Sequence, residues 1–171
     1  DFSDIPDVGL KINDLPMMPS TQWAIENGEW KKIIQAYLAC ISFVDHQVGD
    51  VIKALESSEH ANNTIVLLWS DHGYRMGEKS TFAKHCLWEE ATNAPLMISG
   101  LDLPKDKDID MPVEMLSIYP TLLELCGLPP YNRNEGESLV KYIRQNVHYK
   151  RAVAITTFGM QNHSICSENY R

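Results

Sequence analysis

The residues best suited to chemistry in this chain lie in the sequence Ser-Asp-His-Gly at residues 70–73. They end an unbroken apolar and β-branched run, residues 64–69, which is typical of a strand covered on both faces. Ligands of open α/β sheets bind beyond the carboxyl ends of the strands. Asp71 would therefore offer a carboxylate to a hard cation, His72 a nitrogen, and Gly73 a tight turn. The alternative is that Asp71 caps a turn and that His72 is solvated.

The segment after this turn is basic. Between residues 72 and 85, Arg75, Lys79 and Lys84 give three positive charges against the one negative charge of Glu78, a net charge of +2 in a chain of net charge −8. Clustered cationic side chains beside a possible metal ligand suit an anionic group such as a sulfate or phosphate ester. The alternative is a solvated basic loop that pairs with acidic neighbours.

Composition narrows the class of protein. The chain has 171 residues, of which 44% are hydrophobic and 22% charged, so it can bury a core. Its net charge of −8 argues against binding to nucleic acid or to an anionic membrane surface. The longest apolar run, residues 65–69, is too short for a membrane span. The sequence begins at Asp1 rather than Met, and we expect it to be a piece of a longer protein.

Periodicity predicts the elements that would position these residues. Apolar residues at steps of three and four indicate one long helix over residues 29–57, and Asp45 falls on its apolar side, where we expect a structural hydrogen bond. Further helices are predicted at 87–92, 114–126 and 137–147. Buried strands are predicted at 64–69 and 96–99, and a third strand at 152–156. Pro120 predicts a kink or a late start of its helix. Residues 1–22 are interpreted as an extended surface segment, and the order of elements is α/β.

Three stretches resemble one enzyme family: residues 70–79, the Phe-Ala-Lys-His sequence at 82–85, and residues 89–96. Together with residues 42–49 and 119–129 they are similar to the sulfatase family, and most similar to its iduronate-2-sulfatase and choline-sulfatase-like branch. The resemblance implies an alkaline-phosphatase-like sandwich, with a central, mostly parallel sheet flanked by helices. Residues 23–171 would then form the later half of the catalytic domain, incomplete at both ends.

The resemblance also implies roles for single residues. Asp71 and His72 match positions at a divalent cation, usually calcium; since calcium prefers oxygen, His72 is alternatively a donor to the sulfate or the nucleophile. Lys84 matches the lysine that contacts the sulfate, so Lys84 and His72 are the candidate catalytic residues, with His85 and His163 as further substrate contacts. The implied partners are a small-molecule or saccharide sulfate ester and the remainder of the parent chain. A secreted, periplasmic or lysosomal location is suggested by the family.

The chain departs from the family pattern at the nucleophile. Sulfatases use a cysteine of a C-x-P-S-R type motif that is oxidised to formylglycine, and none of Cys40, Cys86, Cys126 and Cys166 lies in such a motif. The formylglycine is therefore expected outside this chain, and the isolated fragment is expected to be inactive. All four cysteines are expected to be buried free thiols. Two alternatives stay open: a phosphodiesterase or phosphonate monoester hydrolase of the same superfamily, and a non-catalytic sulfatase-like domain.

Overall fold

The computed structural model describes residues 2–3, 5–11, 20–100, 102–145 and 153–171. The chain divides into two compact units, residues 1–97 and 98–171. The described residues form α-helices at Asp7–Lys11 (α1), Thr21–Glu26 (α2), Trp30–Glu56 (α3), Glu89–Thr92 (α4), Ile118–Leu125 (α5) and Val140–Arg144 (α6). Their strands are Val66–Trp69 (β1), Arg75–Met76 (β2), Phe82–Ala83 (β3), Leu96–Ser99 (β4), Val153–Thr157 (β5) and His163–Ser167 (β6).

The long helix predicted for the first unit is confirmed as α3, which has 27 residues. It follows α2, which begins where the Ser20 side chain accepts a hydrogen bond from the Trp23 amide. Ser20 is thus the N-cap of α2, and its side chain accepts from one of the first backbone amides, which have no partner within the helix. Within the segment expected to be extended, the structure forms the short helix α1; residues 12–19 of that segment lie outside the described residues.

Asp45 does not form the structural hydrogen bond that its helix phase predicted. Its side chain is exposed, and within the described part of the chain it has no hydrogen-bond partner. The reason is that the apolar side of α3 is itself largely open, and α3 has no buried residue. A carboxylate on an open surface is solvated and needs no protein donor.

β1 and β4 form a two-stranded sheet, and the predicted positions of both strands are confirmed to within two residues. The prediction that they are buried is wrong. β1 is half-buried with Trp69 46% exposed, and β4 alternates between half-buried and exposed residues, with Met97 58% exposed. An apolar run indicates that a strand could be buried on both faces. Whether it is buried depends on segments that are distant in the sequence.

β2 and β3 lie within the stretch from Tyr74 to Ala94 for which no strand was predicted. They pair antiparallel, with Arg75 opposite Ala83 and Met76 opposite Phe82. Each strand has only two residues, so its sequence shows no alternation that could have predicted it. A 3₁₀ turn at Glu78–Ser80 joins them, and Gly77 enters it with φ of 122°. The pairing folds the basic segment back on itself.

In the second unit, the predicted helix at 114–126 is divided. A 3₁₀ turn at Met115–Ser117 precedes α5, and Pro120 is the third residue of α5, so the predicted late start is confirmed. Proline is tolerated there because the amides of the first helical turn have no partner within the helix. α6 is shorter than the predicted helix over 137–147, whose last two residues lie outside the described ones. Its last carbonyls, those of Tyr142 and Ile143, accept hydrogen bonds from Lys107 Nζ at 2.9 and 3.0 Å.

β5 and β6 form an antiparallel hairpin that joins Val153 to Ser167 and Thr157 to His163 in register. β5 confirms a predicted strand, although its predicted first residue, 152, lies outside the described residues. β6 was not predicted, since its sequence is polar and short. The Ile155 amide donates to Glu114 Oε1 at 2.9 Å and ties the hairpin to the segment before α5.

The mixture of helices and strands confirms the α/β class. Among the described residues the buried apolar side chains are Ala24, Phe82, Cys86, Ala91, Leu139, Val140 and Tyr142. All four cysteines are free thiols, but only Cys86 is buried, while Cys40 and Cys126 are exposed, so the prediction that all are buried is wrong. Cys40 is exposed because it lies on α3, which buries none of its residues. None of the described helices is both long and apolar enough to cross a bilayer.

Candidate functional site

The turn at residues 70–73 is held in place by its own backbone. The Ser70 amide donates to the Pro95 carbonyl at 3.2 Å, and the Gly73 amide donates to the Ala91 carbonyl at 2.8 Å. Between these two anchors, Ser70 Oγ donates to the His72 carbonyl at 2.8 Å. The turn is thus attached to α4 and to the segment that leads into β4, so Asp71 and His72 project from a backbone fixed at both ends.

Gly73 is required by the closeness of this attachment. A Cβ at this position would clash with the Glu90 carbonyl oxygen and would lie 2.8 Å from that of Asn93. Both atoms belong to the backbone, so they cannot move aside as the end of a flexible side chain could. The sequence interpretation gave Gly73 the role of permitting a tight turn; the structure adds that only glycine lets the turn approach α4.

The hydrogen bonds of His72 define which ring nitrogen faces outward. Its Nδ1 lies 2.7 Å from the Gly73 carbonyl oxygen, which can only accept, so Nδ1 carries the proton. In the neutral imidazole Nε2 then keeps its lone pair, and it lies 3.4 Å from Asp71 Oδ1. A histidine that donates Nδ1–H to a backbone carbonyl is in the arrangement common among metal ligands.

Asp71 and His72 fit a cation site in part. The Asp71 side chain is 71% exposed and that of His72 31%, so the two donors face solvent side by side. Calcium takes about six to eight oxygen ligands, so this pair supplies a minority of a calcium shell. Within the ranges that the structure describes, no group of three or more His, Cys, Asp or Glu side chains could hold a metal ion. The remaining ligands of such a site would have to come from elsewhere.

Lys84 directly follows β3. Arg75 opposite Ala83 is the last pair of the β2–β3 ladder, and Lys84 is the next residue after Ala83. The Lys84 side chain is exposed, and among the described residues its ammonium forms no ion pair or hydrogen bond. The structure therefore places Lys84, with an exposed side chain, in the same unit as the Asp71–His72 pair.

The other two predicted contacts lie in different places. His85 follows Lys84 and is half-buried in the same unit. His163 is in the second unit, at the start of β6, where its Nδ1 lies 2.9 Å from Thr157 Oγ1. The structure thus brings Asp71, His72 and Lys84 into one unit, together with His85.

Arg75 is the residue near the turn that sequence reasoning missed. In the sequence it is one of the three cations of the basic segment, whereas in the structure it is only 2% exposed and interacts with its surroundings. The preceding residue, Tyr74, stacks on Tyr37 of α3 at 5.2 Å between ring centroids. No signal in the sequence separates Arg75 from Lys79 or Lys84, because burial of an arginine is decided by the tertiary structure.

The family model described as Sulfatase matches residues 12–128, which is more than half of the chain. The chain belongs to the sulfatase family. A protein called sulfatase from Formosa agariphila is 66% identical over all 171 residues, which are 34% of its own length. The mouse iduronate 2-sulfatase is 33% identical in an alignment that covers 67% of this sulfatase-family chain and 27% of its own length. The predicted family, including its similarity to iduronate-2-sulfatase, is confirmed.

Three solved structures have a backbone similar to that of this chain. A structure described as a 2-O GAG sulfatase matches 98% of this chain and 39% of its own, with a TM-score of 0.77 and 24% identity. A second, described as a complex with its substrate D-glucosamine-2-N,6-O-disulfate, has a TM-score of 0.66 at 22% identity and covers 85% of this chain and 32% of its own. The phosphonate monoester hydrolase from Silicibacter pomeroyi has a TM-score of 0.61 at 24% identity, over 66% of this chain and 22% of its own.

These matches confirm the predicted α/β sandwich of the alkaline-phosphatase-like type. The sequence matches also show what share of its relatives' length this chain covers. The chain spans about one third of the length of its 66% identical relative and a smaller share of the iduronate 2-sulfatase.

Proposed function

We propose that this chain is part of a sulfuric ester hydrolase and carries part of its cation site and its sulfate contact. The observation that carries the proposal is the anchored turn at residues 70–73, in which His72 Nε2 and Asp71 Oδ1 lie 3.4 Å apart. Membership of the sulfatase family supports the reaction type.

In this proposal Asp71 and His72 are cation ligands. The hydrogen bond from His72 Nδ1 to the Gly73 carbonyl orients the ring, so that Nε2 of the neutral imidazole would be available to a cation. The alternative role of His72, as a donor to the sulfate or the nucleophile, would use the imidazolium form. A bound calcium ion would supply the positive charge that stabilises oxygen anions during hydrolysis.

Lys84 is the proposed sulfate contact. Its exposed ammonium can donate up to three hydrogen bonds to sulfate oxygens. A fixed positive charge there stabilises the negative charge that develops in the transition state. His85 and His163 stay as further proposed substrate contacts; His85 is adjacent to Lys84 in the chain, whereas His163 lies in the second unit.

The nucleophile belongs to residues outside this chain, because none of the four cysteines is in a formylglycine motif. Formylglycine in the parent protein would supply, as its hydrated aldehyde, an oxygen nucleophile. A small-molecule or saccharide sulfate ester is the proposed substrate class. It is supported by the fold shared with a 2-O GAG sulfatase and with the structure bound to a disulfated glucosamine.

A phosphonate monoester hydrolase or phosphodiesterase is the second candidate, favoured by the TM-score of 0.61 with such a hydrolase. The sulfated-saccharide enzyme has the higher TM-score, 0.66 over a larger share of the chain. Metal analysis of the parent protein distinguishes a two-metal phosphodiesterase from the proposed sulfatase. Two zinc ions per chain would indicate the phosphodiesterase and contradict our proposal. A parent protein without any nucleophile motif would instead indicate a non-catalytic domain.

The test uses a chimera in which this chain replaces the matching third of the Formosa agariphila relative, hereafter the chimera. We expect the chimera to hydrolyse an aryl sulfate, and Lys84→Ala to lower kcat by about 10²–10³-fold, as loss of an oxyanion contact does. The matched control is Lys53→Ala, which removes an exposed lysine from α3. Equal rates for the Lys84→Ala and Lys53→Ala variants, or faster hydrolysis of a phosphonate monoester than of the sulfate, would overturn the proposal.

A further inference from the structure

Trp88 lies at the point where α4 begins, and α4 anchors the turn at residues 70–73. Trp88 is the half-buried N-cap residue of α4, and its carbonyl accepts hydrogen bonds from the Ala91 and Thr92 amides at 3.0 and 3.1 Å. The Ala91 carbonyl in turn accepts from the Gly73 amide. Because α4 has only four residues, a displacement of Trp88 is expected to move the acceptor of the Gly73 amide.

The Trp88 ring joins α4 to the turn between β2 and β3. Lys79 belongs to that turn, and its Nζ lies 5.3 Å from the centroid of the Trp88 ring. A cation over a ring face within about 6 Å of the centroid is attracted by the negative face of the ring. The ring also lies beside Gly9 of α1, where an added Cβ would be 3.5 and 3.6 Å from two ring atoms. The ring is therefore held from outside α4.

The backbone between β2 and Lys84 has an uncommon conformation. Lys79, Ser80 and Ala83 have φ angles of 53°, 61° and 105°. Residues other than glycine rarely adopt positive φ, and they keep it only where surrounding contacts hold them. Ala83 directly precedes Lys84. The direction in which the chain enters Lys84 thus depends on contacts that hold this turn, and the contact of Lys79 with the Trp88 ring is one of them.

Lys84 also lies on a short segment that is fixed at both ends. Phe82, two residues before it, is 1% exposed, and Cys86, two residues after it, is 4% exposed. The Cys86 amide donates to the Lys84 carbonyl at 2.8 Å. Trp88 follows two residues later and begins α4. The exposed side chain of Lys84 therefore projects from a backbone held between β3 and α4.

We propose that Trp88 is a positioning residue for the candidate site. Through α4 it fixes the turn at residues 70–73, and through the Lys79 ammonium it fixes the segment that leads into Lys84. Two parts of the site that are remote from each other in the sequence are thereby held to one element. The inference rests on the proposed function, because accurate placement matters for catalysis, where a displacement of about 1 Å can lower a rate about 10²-fold.

The first test measures hydrolysis of an aryl sulfate by the chimera. Lys79→Met keeps the length of the side chain but removes its charge, and it is expected to lower kcat about 3–10-fold while KM changes less than about twofold. Lys79→Arg keeps a cation over the ring and should retain most of the activity. Trp88→Leu should lower kcat by about tenfold or more, and Trp88→Phe should lower it less. The matched control is Trp23→Leu, which removes a tryptophan that is 45% exposed on α2.

A double variant separates positioning from direct substrate contact by Lys79. If the ammonium acts through the ring, Lys79→Met should add nothing to the effect of Trp88→Leu. Additive effects on kcat would overturn the inference, as would a kcat for Lys79→Met equal to that of Trp23→Leu. Should Trp88→Leu fail to fold, the comparison of Lys79→Met with Lys79→Arg still decides the matter.

Hydrogen exchange of the isolated chain tests the same link without turnover. Lys79→Met should speed exchange of the Gly73 amide, whereas Trp23→Leu should not. Unchanged exchange at Gly73 in Lys79→Met and Trp88→Leu would overturn the inference. If Lys84→Ala leaves kcat of the chimera intact but Gly73 exchange responds, the proposed function fails and the positioning of the turn stands. If Lys84→Ala lowers kcat and the Trp88 and Lys79 variants do not, the inference alone fails.

Discussion

At the scale of single residues, the candidate cation site depends on backbone contacts rather than on a network of side chains. The Asp71–His72 pair projects from a turn whose two ends are hydrogen-bonded to the Pro95 and Ala91 carbonyls. The orientation of His72 in turn depends on the Gly73 carbonyl. The positions of the two proposed ligands thus depend on how closely Gly73 can approach α4. Gly73 is therefore the position of the site at which we expect a substitution to have the largest effect.

Gly73→Ala is expected to destabilise the isolated chain by about 1–3 kcal/mol or more, because the added methyl group meets the Glu90 carbonyl oxygen. The matched control is Gly49→Ala in α3, where a Cβ meets nothing within 4 Å. Alanine in place of a helical glycine should stabilise by up to about 1 kcal/mol. Urea unfolding followed by tryptophan fluorescence measures both, and effects of the same sign would contradict the packing of Gly73 on α4.

At the scale of elements, the second unit is organised by one buried hydroxyl group. Thr121 of α5 is fully buried, and its Oγ1 donates to the Ser117 carbonyl at 2.5 Å. The same oxygen accepts from the Leu139 amide at 2.9 Å, just before α6 begins. A single side chain therefore satisfies a buried amide at the start of α6 and joins that helix to α5.

Thr121→Val is expected to destabilise this unit by about 1–3 kcal/mol, since it leaves the buried Leu139 amide without its acceptor while keeping the volume of the side chain. Thr121→Ser is the control, because it keeps the hydroxyl group and should cost clearly less. The measurement is the urea unfolding midpoint of the isolated chain with both variants. A Ser variant as unstable as the Val variant would show that packing of the methyl group, and not the hydrogen bond, dominates.

At the scale of the whole molecule, the exposed apolar surface fits the short length of the chain relative to its family. The described residues bury few apolar side chains, whereas Leu38, Val44 and Met97 are each more than half exposed. A sulfatase-family chain that spans 34% of a relative's length lacks most of the residues that could cover such surfaces. Activity is therefore expected only when the rest of the polypeptide is present.

The isolated chain is expected to show no turnover of an aryl sulfate, because it contains no formylglycine motif and its described residues offer only part of a cation site. The chimera assayed under the same conditions is the positive control. Sulfate release by the isolated chain that Lys84→Ala abolishes would contradict this expectation, because it would show a complete active site within these residues.

Several features could be predicted from the sequence because their signals are local. The apolar period of α3 defined it within one residue at each end, and the apolar run Leu96–Ser99 defined β4. The late start of α5 followed from Pro120. The motif around Asp71 and Lys84 placed the chain in its family, which the family model matching residues 12–128 confirms. The roles of Asp71, His72, Lys84, His85 and His163 stay predictions.

Only the tertiary structure decided which groups meet. The pairing of Arg75 with Ala83, the contact of Gly73 with the Glu90 carbonyl, and the burial of Arg75 join residues whose sequences show no common period. Burial likewise depends on distant neighbours, which is why β1, β4 and Cys40 are more exposed than their composition predicts. Local sequence determines the conformation of a segment through backbone and side-chain preferences, whereas contacts between distant segments depend on the packing of the whole chain.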